Sequence, residues 1–264
     1  PDFEETKYIA VICNLNPFYY PSLAEVEAYE QYDVAMPAVA PVAVTGWNAD
    51  VIVEAKPANK FSDAILDDQG WVLFTDAVRK SGALCGSDGI VNTNKGTQFK
   101  MADFASKNAL ILKVMNQQGT LTFVNPEECE EVYLLAISAN GMGKVAAQVY
   151  YEDGTNENAS LLTVFDWYGE NATGNEAVFG LSRIITKSTY EFNADEIDGR
   201  NNFRLYEFTL KTNKSKKVKN ILFQKWYGGS GYVTILGVAR KGFQDVTGIE
   251  NIENRPSASA VNGI

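Results

Sequence analysis

The chain has 264 residues, 45% of them hydrophobic and 12% aromatic, a composition that sustains a full buried core. Its 33 acidic and 23 basic residues leave a net charge of −10, which repels phosphate backbones and anionic lipid and disfavours nucleic-acid and membrane-surface partners. It contains no histidine, which removes the usual general base of serine and cysteine hydrolases and the commonest transition-metal ligand.

The chain opens at Pro1 without a methionine, which fits an upstream segment removed by processing. Residues 1–40 read as an N-terminal appendage. Tyr8–Cys13 suits an edge strand, and Ser22 and Glu25 form a capping box. Leu23, Val26, Tyr29 and Tyr32 recur at helical spacing, so Leu23–Tyr32 is expected to be a short amphipathic helix packed on the main domain. Met36–Val42, interrupted by Pro37 and Pro41, reads as an extended linker. No apolar run approaches the ~20 residues of a spanning helix, so no membrane insertion is expected.

Residues 41–242 read as one β domain. Strands are expected at Asp50–Ala55, Trp71–Asp76, Gln98–Asp103, Leu110–Val114 and Thr120–Val124. They continue at Val132–Ala139, Val145–Tyr151, Leu161–Tyr168, Val178–Ile185, Tyr206–Thr212, Val218–Lys225 and Tyr232–Arg240. Tyr206, Phe208 and Leu210 alternate with Glu207, Thr209 and Lys211, the pattern of a half-buried strand. Leu161–Phe165 is apolar on both faces, which suits a central strand covered on both sides. Gln118-Gly119, Asn140-Gly141, Asp153-Gly154, Gly169 and Gly228–Gly231 supply turn chemistry. About a dozen short strands with little helix between them predict an all-β, antiparallel β-sandwich of jelly-roll type. Residues 243–264 read as a linker or tail.

Cys13, Cys85 and Cys129 fit no C-x-x-C pattern. One disulfide with a free thiol is compatible with them. Three unrelated thiols is the simpler reading, and a domain this large needs no bridge for stability.

Several stretches resemble secreted Bacteroidetes β-sandwich modules of the galactose-binding-like, carbohydrate-binding jelly-roll type. They are Gly46–Ile52, Leu66-Asp67, Asn108–Leu110, Ala139–Gly141, Tyr151–Thr155, Val164–Tyr168 and Ile235–Val238. The tail, with Val246–Ile252 followed by Ala260–Ile264, resembles the lead-in to a type IX secretion sorting domain. These resemblances imply a secreted or outer-membrane-surface protein whose partner is a glycan or another surface protein. Such modules often carry a structural calcium, although no cofactor is required.

Two segments carry candidate binding residues. Asp166-Trp167-Tyr168 ends a strand and opens into a loop with Asn171. A pyranose packs its C–H groups on an aromatic face while carboxyl and amide groups read its hydroxyls. Alternation turns Tyr168 away from Trp167, so Tyr168 is the platform candidate and Trp167 a core residue. In Trp226–Tyr232 three aromatics bracket a Gly/Ser turn whose backbone can approach a ligand closely. Trp226, Tyr227 and Tyr168 are expected near one rim, with Asp166 and Asn171 supplying hydrogen bonds. For each aromatic the alternative is ordinary packing, and Trp47 and Trp71 are read that way.

Asp63 with Asp67-Asp68, and Asp195-Glu196 with Asp198, are clusters of hard oxygen ligands without EF-hand spacing. Gly141–Lys144 lacks the spacing of a phosphate loop. The sequons at Asn158, Asn171 and Asn213 matter only in a eukaryotic secretory pathway. The basic run Lys214–Lys219 reads as a solvated hairpin turn.

No residue set assembles a catalytic site by role. The sequence therefore favours a non-catalytic binding module, for carbohydrate or adhesion, over an enzyme. The runners-up are a glycan-active enzyme, either a two-carboxylate hydrolase or a lyase using Tyr168, Arg183 and Tyr190, and a purely structural spacer domain.

Overall fold

The computed structural model describes residues 39–54, 66–168, 173–186, 192–194 and 203–242, all within the compact unit Ala35–Ile264. The expected N-terminal helix and the C-terminal tail lie outside the described residues.

Among the described residues seventeen strands follow one another: β1 (Val39–Pro41), β2 (Val44–Thr45), β3 (Ile52–Val53), β4 (Trp71–Phe74), β5 (Ile90–Asn92), β6 (Gln98–Lys100), β7 (Leu110–Leu112), β8 (Gln118–Glu128) and β9 (Glu131–Ala139). Then come β10 (Gly143–Tyr151), β11 (Ser160–Val164), β12 (Glu176–Val178), β13 (Ile184–Thr186), β14 (Phe192–Ala194), β15 (Leu205–Lys211), β16 (Lys217–Trp226) and β17 (Tyr232–Lys241). Among the described residues there is no helix.

The topology is that of a jelly roll. Strand β7 pairs with β17, β8 with β16, β9 with β15 and β10 with β11, all antiparallel, as in one long ribbon folded at the β10–β11 hairpin. Rolling that ribbon brings β9 against β17 and β10 against β16, which completes two sheets. One runs β1-β17-β9-β15-β12, with β7 also on β17; the other runs β11-β10-β16-β8-β2. They enclose a core that includes Leu121, Leu134, Val145, Val149, Phe208, Ile221, Phe223 and Ile235.

The β9–β17 sheet is covered on its other face too. The parallel pair β3–β4, the β5–β6 hairpin and the segment between β12 and β13 around Leu181 form a third layer over Leu135, Ile137, Leu205 and Leu236. Burial on both faces explains why β9 and β17 read as nearly continuous apolar runs, whereas β10 alternates strictly between buried and half-buried positions. Asparagine side chains stand in for strand pairing in this layer. Asn48 exchanges two hydrogen bonds with the backbone of Ile111, at 3.0 and 2.8 Å, and the Asn108 amide oxygen accepts from Val51 N–H at 3.0 Å.

Several local expectations are corrected. The Leu161–Phe165 stretch forms an edge strand paired only with β10, and Leu161 is half exposed rather than covered. The chain leaves β11 after Val164, and Asp166 bridges in parallel to Ser138 at the end of β9. Gln118-Gly119 lies inside β8; the turn falls at 113–117, where Asn116 takes φ 65°. The run expected as one strand over Val178–Ile185 is two, broken around Gly180 at φ 68°. The linker around Pro41 contributes the short edge strands β1 and β2.

Candidate functional site

The register places four connections at one end of the sandwich: the 113–117 turn, the 140–142 turn, the segment 165–168 after β11, and the 227–231 loop. They are tied together. Gly141 N–H donates to the Asp166 carboxylate, Gly231 N–H to Met142 C=O at 3.0 Å, and Ser230 Oγ to Asn140 C=O at 3.3 Å. Asn116 N–H donates to Lys225 C=O at 3.0 Å. The glycines are obligatory here: a Cβ on Gly231 would sit 1.9 Å from Gly141 O and 2.2 Å from Ser138 Oγ.

Asp166 is half-buried, and both its oxygens accept backbone N–H groups, from Tyr168 at 2.8 Å and from Gly141. Loss of solvent raises its pKa above the ordinary carboxylate value, opposed by those N–H bonds and by Arg183. Its own C=O accepts the Tyr206 hydroxyl at 2.7 Å, and burial pushes that phenol up to about 12. Asp166 therefore holds the turn as well as facing the pocket.

Trp167 and Tyr168 separate as their alternation predicts. Trp167 is buried against Phe203, with ring centroids 5.0 Å apart, so it is a core residue. Tyr168 is 45% exposed, backed by Phe203 at 5.4 Å. Asp166, Trp167 and Tyr168 line a pocket of about 240 Å³ with Asp67, Gln69, Asn140 and Arg183. The Arg183 guanidinium lies 4.1 Å from the Trp71 ring centre and 4.4 Å from that of Phe203, and 3.9 Å from Asp67. Asp67 is 3% exposed, and its Oδ1 accepts N–H from Gln69 and Trp71 at 2.9 and 3.1 Å.

Trp226 and Tyr227 belong to a different surface at the same end. In β16, Ile221, Phe223 and Lys225 point into the sandwich, so Trp226 points outward, beside Lys144 of β10 and, one strand further, Thr163. It is half-buried and packed on Tyr227, centroids 5.3 Å apart, and Tyr227 is two-thirds exposed. The structure thus brings Asp166 and Tyr168 together and sets Trp226 and Tyr227 apart from their pocket; Asn171 lies outside the described residues. Gln69 and Asn140 were not singled out as binding residues, Asp67 was read only as a candidate calcium ligand, and Arg183 only with Tyr168 in the runner-up lyase reading, because long-range folding alone joins residues so far apart in sequence.

Two of the carboxylates read as possible calcium ligands are occupied by hydrogen-bond donors and a cation. Asp67 faces N–H donors and Arg183, while Asp68 accepts from Asn140 Nδ2 at 3.1 Å and the Tyr232 hydroxyl at 2.7 Å. Asp63, Asp195, Glu196 and Asp198 lie outside the described residues. Cys85 and Cys129 are buried free thiols, and burial pushes Cys85 up to about 12, far from a reactive thiolate.

No protein family matches the chain, and no curated protein matches it. Among solved structures it is similar to the K2 cleaved adhesin domain of Lys-gingipain, with 12% identity over 66% of this chain and 84% of that one at a TM-score of 0.31. A family 29 carbohydrate-binding module complexed with mannohexaose aligns at 11% identity over 61% of this chain and 86% of that one, TM-score 0.26. The Agl-KA catalytic domain aligns at 18% identity and a TM-score of 0.31 over 52% of this chain; the chain spans 22% of that protein's length. Two are thus binding or adhesive modules and one is catalytic. At such TM-scores none bears on this chain's function, and the jelly-roll assignment rests on its own strand pairing.

Proposed function

We propose that the chain is a non-catalytic module, secreted or displayed at the cell surface, that binds neutral glycan through the loop end of its jelly roll. The observation that supports this reading is the chemistry of that end. Exposed Tyr168 and Tyr227 and half-buried Trp226 offer apolar faces, and amide and carboxyl groups stand next to Tyr168. The ligand residues are Asp166, Tyr168, Asn171, Trp226 and Tyr227.

A glycan-array screen on the chain tests the reading. Binding of neutral oligosaccharides with little dependence on salt is the expected result, since no ion pair with the ligand is involved. A blank array, or binding confined to anionic glycans, refutes it.

One observation favours a second reading. Asp67 and Asp166 line the same pocket, and two carboxyls in a cleft are the equipment of a glycosidase. Against it, three of their four oxygens are taken by backbone N–H groups, and Asp67 Oδ2 faces Arg183. Product formation from a bound oligosaccharide, abolished in Asp166→Asn, would establish hydrolysis.

A further inference from the structure

Resting on that glycan-binding reading, we infer that the Tyr168 pocket receives a single, uncharged sugar ring at the end of a chain, and that Arg183, Asp67 and Asn140 belong to its recognition set. Trp226 and Tyr227 are not part of this subsite.

Three observations lead there. The first is size. At about 240 Å³ the pocket falls below the ~300–1,000 Å³ of sites for drug-sized ligands, so it accommodates one ring and not a run of them.

The second is charge. The pocket is lined by two carboxylates and one guanidinium, and that guanidinium already faces Asp67 at 3.9 Å while stacked between Trp71 and Phe203. A second anion brought in by a uronate or sulfate would meet Asp166 and Asp67 with no uncommitted cation among the lining residues. A neutral polyol meets acceptors in the carboxylates and donors in Arg183 and Asn140.

The third is rigidity. Phe203 backs the Tyr168 ring, Asp166 is pinned by two N–H groups, and Asn140 is anchored to Asp68 at 3.1 Å. The recognising groups are therefore held in place before a ligand arrives, which lowers the entropic cost of binding. The Trp226–Tyr227 pair lies on the outward face of the other sheet and has no side chain in this lining.

The test is a titration of the whole chain with neutral oligosaccharides in three forms: unmodified, with the non-reducing ring capped by methylation, and with a uronate in that terminal position. Chain-end recognition predicts that the unmodified form binds and that capping and uronate each weaken it by roughly tenfold or more. Tyr168→Ala, an exposed change that leaves the core intact, should weaken binding by about ten- to a hundredfold. Arg183→Gln should do the same and widen the preference for the neutral over the uronate end, because the two carboxylates lose the cation beside them among the lining residues, a change that simple loss of packing would not produce.

Equal binding of capped and free chains overturns the inference, as does binding that survives Tyr168→Ala but is lost in Trp226→Ala; both leave the glycan-binding reading standing. If no oligosaccharide binds, that reading and this inference fall together.

Discussion

The two ends of the jelly roll are built from the same kind of connection and have opposite chemistry. At the far end, the loops after β8, β10 and β15 and the end of β17 are ion-paired: Lys216 with Asp153 at 3.0 Å, Lys217 with Glu152 at 3.9 Å, Lys241 with Glu130 at 3.3 Å and Lys211 with Glu131. At the near end the exposed tips are Val114, Met115, Met142, Tyr168 and Tyr227, and the links between loops run through backbone groups and small polar side chains. Charged tips keep water and repel neighbours. Apolar tips on backbone-locked loops are poorly hydrated and rigid, which is what a binding surface requires and what solubility alone would select against. The contrast is the physical ground for proposing that the binding surface lies at the near end.

The largest expected effects test how tightly the near end is built. Trp167→Ala should destabilise the fold by about 3–5 kcal/mol, because its ring is buried in the second core against Phe203. Gly231→Ala should cost about 1–3 kcal/mol, since its Cβ would run into Gly141 O and the loops must part. Chemical denaturation measures both. Costs below about 0.5 kcal/mol would mean that these loops yield, and the claim of a preformed surface would fail.

Most strands and the sandwich were legible in the sequence, because period-two alternation and turn residues are local signals. What misled was the assumption that doubly apolar means central. Leu161–Phe165 is apolar yet an edge strand, while the strands covered on both faces are β9 and β17. Covering depends on the third layer, which residues far away in sequence supply. The same limit applied to the site. Asp166 and Tyr168 were visible as a strand end beside a loop, and alternation rightly separated Tyr168 from Trp167. Which face Tyr168 joins was not accessible, because the chain crosses between sheets at Asp166. Arg183, which lines that pocket, was named only in the runner-up lyase reading, and no local pattern tied it to Asp67 or Asp166.

A smaller effect concerns the inward-pointing lysine beneath the aromatic loop. Lys225 is 2% exposed, and its ammonium donates to Gly229 C=O at 3.0 Å. Loss of solvent lowers its proton affinity below that of an ordinary lysine. The unfolded chain then binds more protons than the folded one between the lowered and the ordinary value, so stability should rise with pH across that alkaline window. Lys225→Met should abolish the rise, which pH-dependent denaturation of the two proteins detects. An identical slope in both would show that the amine is solvated. Trp226→Ala, one residue on and facing outward, should cost only about 1 kcal/mol of stability, and a loss of 3 or more would mark it as a core residue.

The smallest effect is expected at the far end, and its sign is set by the same linkage. Asp153 is exposed, yet hydrogen bonds from Thr155 Oγ1 at 2.6 Å and Thr155 N–H at 2.9 Å, followed by Lys216, pull its carboxyl down to about 2. A carboxylate depressed in the folded state favours folding above its unfolded value and loses that contribution as pH falls towards 2. The Lys216 part of this is an exposed ion pair, screened by salt, whereas the Thr155 part is a local turn that salt hardly touches. Lys216→Ala should therefore shift the melting temperature slightly in dilute buffer and not at all in 1 M salt. Asp153→Ala should keep part of its effect at both ionic strengths. If Lys216→Ala cost as much as Gly231→Ala, and did so in high salt, the far end would be as tightly built as the near one. The difference in chemistry between the two ends would then carry no difference in rigidity.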